Sequence, residues 1–111
     1  MPLVKVTTSS TNIDINSLSG KLSEEISFLT NKPEKYVMVI IEINKNMIFS
    51  GQNIPSAYVE IKSIGALRTK SISESISRIF QQKSDVASSR IYISFEDISP
   101  SNWGYNGSTF G

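Results

Sequence analysis

The amino-acid sequence predicts an α+β fold, built as a doubled β-α-β unit with a four-stranded mixed sheet and two helices on one face. The order strand, helix, strand occurs twice along the 111 residues, and a short extra segment follows each occurrence. A crossover from strand through helix to strand is right-handed and joins parallel strands of one sheet. We therefore expect a single domain over residues 1–111 with two degenerate repeats, at about residues 1–55 and 56–111.

The first repeat combines a β-branched strand, an amphipathic helix and a strongly apolar strand. Residues 2–8 form the first strand. Pro33 disfavours helical geometry in the residue before it, so the helix should end near Asn31. Residues 36–43 are apolar on both faces of a strand, and residues 47–49 are expected to be a short edge strand. The helix is indicated by apolar residues at helical spacing, namely Leu18, Leu22, Ile26 and Leu29.

The second repeat has the same order of elements. Residues 57–64 and 90–95 alternate as strands do, residues 71–82 form a helix, and residues 99–111 are a tail rich in glycine and asparagine. Two helices cover only one sheet face, so we expect another subunit to cover Met38 and Ile40 on the other. The apolar stripe of the helix consists of Ile72, Ile76, Ile79 and Phe80.

The composition excludes several kinds of chemistry. Eleven basic and ten acidic residues give a net charge of +1, so neither nucleic acid nor a membrane surface is indicated as a partner. The chain has no cysteine and no histidine, which excludes a thiol nucleophile, a disulfide, a Ser-His dyad and the usual zinc site. Catalysis would have to use carboxylates, lysine, tyrosine, serine or the chain terminus.

The expected location is the cytoplasm. No apolar stretch typical of a signal peptide follows the N-terminus. The longest apolar run, residues 37–41, is far too short to span a bilayer. Export without a leader would leave no trace in the sequence.

Several short segments, in order along the whole chain, carry a resemblance to one family. Met1-Pro2 opens the chain, and residues 30–36 read TNKPEKY. Residues 63–65 read SIG, residues 90–93 read RIYI, and residues 104–110 read GYNGSTF. Each segment alone is a weak signal. Together, at near-family spacing, they resemble the macrophage migration inhibitory factor (MIF) family of the tautomerase superfamily.

The resemblance implies a fold, an assembly and an activity. The family's fold is the doubled β-α-β unit, assembled as a homotrimer with active sites between subunits, which supplies cover for the second sheet face. The implied activity is keto–enol tautomerisation of an aryl 2-oxo acid of the phenylpyruvate type. No metal and no organic cofactor is needed for that reaction.

Pro2 is the residue that the resemblance assigns to catalysis. In the family, Met1 is removed and the proline becomes the N-terminus. The alternative for Pro2 is an ordinary proline at the start of a strand. A terminal α-amino group has a pKa of roughly 7.7–8.0. Burial in an apolar pocket lowers that pKa, so the neutral amine becomes a general base near neutral pH. If Met1 remains, the nitrogen is an amide and cannot act as a base.

Three further positions are expected to bind the reacting part of the substrate. By resemblance, Lys32 and the backbone N–H of Ile64 hold the substrate carboxylate. Lys32 also fits a lysine that is favoured simply by the helix dipole. Tyr92 is expected to line the pocket of the neighbouring subunit, where its hydroxyl helps to polarise a carbonyl. A plain cross-sheet aromatic is the alternative for Tyr92.

The remaining site residues are expected to contact the substrate ring. Ser94 stands where the vertebrate cytokine has an asparagine at the far end of the substrate, so phenylpyruvate should be preferred over its para-hydroxylated analogue. Residues 56–59 replace the family's C-x-x-C motif, which excludes thiol oxidoreductase activity. By resemblance, an apolar wall is formed by Tyr36, Trp103, Tyr105 and Phe110, for which core or interface packing is the alternative.

Two other functions compete with the tautomerase. One is a cytokine-like or other binding protein that keeps a vestigial pocket. The other is a different reaction of the superfamily, such as dehalogenation or hydration, which needs polar groups that activate water; no clear candidate for these is present. Retention of Pro2, Lys32 and Tyr92 together favours the enzyme.

Overall fold

The computed structural model describes residues 1–111 as a four-stranded sheet with two helices packed on one face. The strands lie in the spatial order β2-β1-β3-β4. Strand β1 is parallel to β2, and β3 is parallel to β4, while the central pair β1 and β3 is antiparallel. The predicted fold class is confirmed. In chain order the elements are β1 (Leu3–Thr8), α1 (Ile15–Thr30), β2 (Met38–Ile43), β3 (Ala57–Ser63), α2 (Thr69–Lys83) and β4 (Ile91–Asp97).

The hydrophobic core lies between the sheet and the two helices. Burial alternates along β1, where Val4 and Val6 are fully buried and their neighbours are half-buried. The predicted apolar stripes of both helices point into this layer, as their period requires. The core is formed by Val4, Val6, Leu18, Leu22, Ile26, Ala57, Val59, Ile61, Ile72, Ile76, Ile79, Phe80 and Val86. Neither helix has the length and apolar character that crossing a bilayer requires.

Helix α1 ends where the sequence predicted, in a motif that fixes the backbone of the next loop. Asn31 has a left-handed φ of 54°. Its N–H donates to the carbonyl of Phe28, and the N–H of Lys32 donates to the carbonyl of Ser27 at 3.2 Å. These two bonds form a Schellman motif. The Ser27 hydroxyl also donates to the Lys32 carbonyl at 2.7 Å, so the Lys32 backbone is held from both sides.

The predicted edge strand at residues 47–49 is wrong. Phe49 pairs only with Gln52, through backbone bonds of 3.1 and 3.0 Å. The two residues between them, Ser50 and Gly51, have φ values of 55° and 70°. This two-residue turn folds the segment back on itself, so its polar backbone groups pair within the turn instead of with a neighbouring strand.

One strand boundary differs from its prediction, and the tail contains a hairpin that the sequence analysis did not predict. The strand expected from residue 36 begins at Met38, because Glu34–Tyr36 is a turn of 3-10 helix after Pro33. The tail rich in glycine and asparagine contains a hairpin of β5 (Gly104–Tyr105) and β6 (Ser108–Thr109). Its turn is Asn-Gly, a pair that favours positive φ at both residues. The tail is therefore an ordered part of the molecule.

The second face of the sheet is largely uncovered within one chain. Met38 is 60% exposed and Tyr92 is 67% exposed. Between the apolar side chains lie charged residues, including the pair Lys5 and Glu42 with nitrogen and oxygen 3.7 Å apart. Exposed apolar side chains on a sheet face lose contact with water only if something packs on them.

Candidate active site

A pocket of about 540 Å³ opens at the end of the sheet where β1 begins. Pro2 lines this pocket and is buried. Its carbonyl accepts a hydrogen bond from the Met38 N–H at 3.0 Å, which fixes the start of β1 beside β2. The pocket is lined by Met1, Pro2, Leu3, Lys35, Tyr36, Val37, Met38, Lys62, Ile98, Asn102, Trp103, Gly104, Tyr105 and Phe110.

Aromatic side chains form one wall of the pocket. Tyr36 meets Tyr105 and Phe110 edge-on, with ring centroids 5.6 and 6.2 Å apart. Tyr105 and Phe110 stack with centroids 5.5 Å apart. Tyr105 lies on β5 of the tail hairpin, and the Trp103 carbonyl accepts the Phe110 N–H at 3.2 Å. The structure thus brings the four aromatic residues singled out in the sequence to the pocket that Pro2 lines.

The N-terminal amine lies in surroundings that favour its neutral form. Partial burial, and then the positive charge of Lys32, hold the pKa of the Met1 amine below its ordinary value. With Met1 in place, Met1 is half-buried and Pro2 is buried.

Lys32 lies beside the pocket and is not one of its lining residues. Its side chain lines a shallow neighbouring depression together with Phe28 and Arg68. Its charge nevertheless reaches the N-terminus, because it contributes to the lowered pKa of the Met1 amine. The structure therefore brings Lys32 and the N-terminus together.

Ile64 comes directly after β3, next to the N-terminus. The antiparallel register pairs Leu3 with Lys62, so one further step places Ser63 opposite Pro2 and Ile64 opposite Met1. The chain then turns at Gly65, whose N–H donates to the Asp97 carboxylate at 2.9 Å. The register thus brings the Ile64 backbone close to the start of the chain.

Tyr92 and Ser94 lie far from Pro2 within one chain. The register links Tyr92 through Tyr58 to Thr7, five positions along β1 from Pro2. At roughly 3.3 Å per residue this is about 16 Å. The Tyr92 ring packs on Phe49 with centroids 4.7 Å apart, and the Ser94 hydroxyl bonds the Tyr58 hydroxyl at 2.8 Å. A single chain does not bring either residue to the pocket.

The comparisons with known proteins agree with one another. The family model for macrophage migration inhibitory factor (MIF) matches residues 1–111. The chain belongs to the MIF family. It is 35% identical over 108 residues to the macrophage migration inhibitory factor homolog of Brugia malayi, covering 91% of this chain and 94% of that one.

Solved structures of MIF-family proteins have the same fold along nearly the whole chain. The homologue from Prochlorococcus marinus is 43% identical, with a TM-score of 0.92 over 98% of this chain and 99% of that one. The MIF-like protein of Entamoeba histolytica is 26% identical, with a TM-score of 0.90 over 98% of both chains. The resemblance seen in the sequence, and with it the fold of the tautomerase superfamily, is confirmed.

The pocket that Pro2 lines has a charge pattern that the sequence alone did not reveal. Lys35 and Lys62 line it, and no acidic side chain does. Lys62 lies 3.9 Å from the Glu96 carboxylate, while Lys35 lies over the Tyr36 ring at 5.1 Å. The register of β1 and β3 places Lys62 here, and sequence periodicity does not show register. The pocket favours a ligand that combines an apolar body with a negative charge.

Proposed function

We propose that this MIF-family chain is a keto–enol tautomerase for aryl 2-oxo acids of the phenylpyruvate type, with the Pro2 amine as its general base. The observation that carries the proposal is the N-terminal amine beside the apolar pocket, here the amine of Met1, whose pKa is lowered by burial and by Lys32. A base works best when its pKa lies near the operating pH. A lowered pKa increases the neutral fraction of the amine near pH 7, and only the neutral amine can accept a proton.

Removal of Met1 is part of the proposal. While Met1 is present, the Pro2 nitrogen is an amide and its lone pair is delocalised into the carbonyl. Removal converts it into a secondary amine at a buried position and clears Met1 from the pocket it lines. The same step therefore creates the base and opens room for a substrate.

The substrate class follows from the shape and charge of the site. A volume of about 540 Å³ lies within the range of small-molecule pockets. The aromatic wall of Tyr36, Trp103, Tyr105 and Phe110 would pack against the substrate's aryl ring. The Lys32 ammonium and the Ile64 N–H would hold the carboxylate, and the positive charge of Lys35 adds to the attraction for an anion.

The reaction moves one proton and leaves the substrate's composition unchanged. The Pro2 amine removes a proton from the carbon next to the carbonyl, the electron pair moves to the carbonyl oxygen, and an enolate forms. The Tyr92 hydroxyl stabilises the oxygen as its charge develops. The Pro2 ammonium then gives its proton to that oxygen and returns to the neutral amine.

The active sites are proposed to lie between subunits of a homotrimer. Along the strand direction Tyr92 is about 16 Å and Ser94 about 10 Å from Pro2 of their own chain, so a neighbouring copy would have to supply them. The uncovered sheet face, with Met38 60% exposed, is the surface that such a copy would bury. Light scattering should give the mass of three chains; the mass of one chain would contradict the shared site.

The test combines intact mass with phenylpyruvate tautomerisation, for the wild type and Pro2→Gly. We expect a wild type without Met1 that is active, and a sharp loss in the variant. A matched form, in which one alanine precedes Pro2 after Met1 is removed, keeps the proline ring but makes its nitrogen an amide; it should be inactive. A processed wild type without activity would refute the proposal and favour the binding protein with a vestigial pocket.

A further inference from the structure

Arg90 organises the loop between β2 and β3 from a buried position. It is only 9% exposed and forms no ion pair. Its Nη2 donates to the carbonyls of Phe49 (2.9 Å), Gln52 (3.1 Å) and Ile54 (3.3 Å). Its Nε donates to the Ser56 hydroxyl at 3.1 Å. The buried charge is thus balanced by loop oxygens, and it holds residues 49–56 as one unit.

The same loop is attached to the end of β1. The Ser56 carbonyl accepts from the Thr8 hydroxyl at 2.7 Å and from the Ser9 N–H at 3.1 Å. The Ser56 N–H donates to the Ser9 hydroxyl at 3.0 Å. The loop therefore has fixed contacts both to the end of β1 and to Arg90, which directly precedes β4.

Phe49 contacts both Arg90 and Tyr92, and so links the loop to Tyr92. The Arg90 guanidinium lies 5.3 Å from the centre of the Phe49 ring, in addition to its bond to the Phe49 carbonyl. The other partner of the Phe49 ring is Tyr92, with centroids 4.7 Å apart and planes at 51°. Tyr92 is 67% exposed, and its hydroxyl makes no hydrogen bond within the chain. The Phe49 ring thus limits the directions that an otherwise free tyrosine can take.

We propose that Phe49, held by Arg90, is a positioning residue that orients the Tyr92 hydroxyl for the active site of the neighbouring subunit. The inference rests on the proposed function. A hydroxyl that stabilises a developing oxygen charge must lie within hydrogen-bond reach of it, and a displacement of about 1 Å can cost up to 100-fold in rate. Phe49 itself does not touch the substrate.

A double-mutant cycle tests the inference. Phe49→Leu, Tyr92→Phe and the double variant are compared in kcat and KM for phenylpyruvate tautomerisation. We expect Phe49→Leu to lower kcat roughly tenfold in the wild type, and less than about twofold where Tyr92 has already lost its hydroxyl. Equal losses in both backgrounds, or a change confined to KM, would overturn the inference.

Controls separate positioning from a general loss of structure. Phe28→Leu makes the same chemical change at a side chain on α1 that is 77% exposed, and it should leave kcat unchanged. Arg90→Lys is a second variant that keeps the charge but cannot span all three carbonyls. It should lower kcat in the wild type and have little effect in the Tyr92→Phe background, and an equal loss in both would also overturn the inference. An inactive wild type refutes the proposed function, and the inference falls with it.

Discussion

Replacing Arg90 with methionine should lower the free energy of unfolding by about 3 kcal/mol. Methionine keeps an apolar stem of similar length but removes the donors to the carbonyls of Phe49, Gln52 and Ile54. Each carbonyl keeps a second donor, since Phe49 and Gln52 accept from each other's N–H and Ile54 accepts from the Ser56 hydroxyl. The loss is therefore that of the three bonds themselves, about 0.5–1.5 kcal/mol each. The middle of that range, taken for three bonds, gives about 3 kcal/mol.

The change is best measured by urea denaturation at a fixed protein concentration, because association of subunits adds to the apparent stability. Arg78→Met is the matched control, since Arg78 is exposed on α2 and makes no ion pair. It should shift the free energy by less than about 0.5 kcal/mol. Faster hydrogen exchange at residues 49–56 would locate the loss. A change below about 1 kcal/mol in Arg90→Met would refute the reasoning, because the loss of three hydrogen bonds should lower the free energy of unfolding by at least about 1.5 kcal/mol.

Three further predictions concern Lys32, Asn31 and Ser94. Lys32→Met should raise KM for phenylpyruvate at least about tenfold. It also removes a positive charge that lowers the pKa of the terminal amine, so that pKa should rise in the variant. On acidification the variant should therefore lose activity at a higher pH than the wild type. An unchanged pH profile together with an unchanged KM would contradict both roles. Because Asn31 has a left-handed φ, Asn31→Val should lower the free energy of unfolding, measured by urea denaturation, by about 1–2 kcal/mol. Asn31→Gly should lower it by less than about 0.5 kcal/mol, and equal losses in the two variants would contradict this. Phenylpyruvate should show a higher kcat/KM than its para-hydroxylated analogue, because the Ser94 hydroxyl is short and already bonded to Tyr58, and equal values would refute it.

The sequence predicted the fold because its periodicities are strong where the core forms. The alternation around Val4 and Val6 and the helical spacing around Leu22 each place one face in the core. The edge strand at residues 47–49 failed for a local reason, since the turn at Ser50 and Gly51 lets the segment bond to itself. The tail hairpin has a signal in its Asn-Gly pair, which favours a two-residue hairpin turn.

The candidate site was predictable only in part. The resemblance singled out Pro2 and the aromatic wall, and the structure places them in one pocket. Lys62 was not predicted, because its pairing with Leu3 depends on strand register, which a single strand pattern does not show. Lys35 lies in the turn of 3-10 helix at Glu34–Tyr36, where the sequence predicted the start of a strand. The part assigned to Tyr92 depends on a second copy of the chain and remains a prediction.

The central claim is that a neutral Pro2 amine in this pocket is the base. Its most direct test is the pKa of that amine, measured by nitrogen NMR on processed protein labelled with ¹⁵N-proline, in which only Pro2 carries a titrating nitrogen. We predict a pKa below the roughly 7.7–8.0 of an ordinary α-amino group. The loss of kcat/KM at low pH should follow the same titration. A pKa within or above the ordinary range, or a pH profile that does not follow it, would contradict the claim.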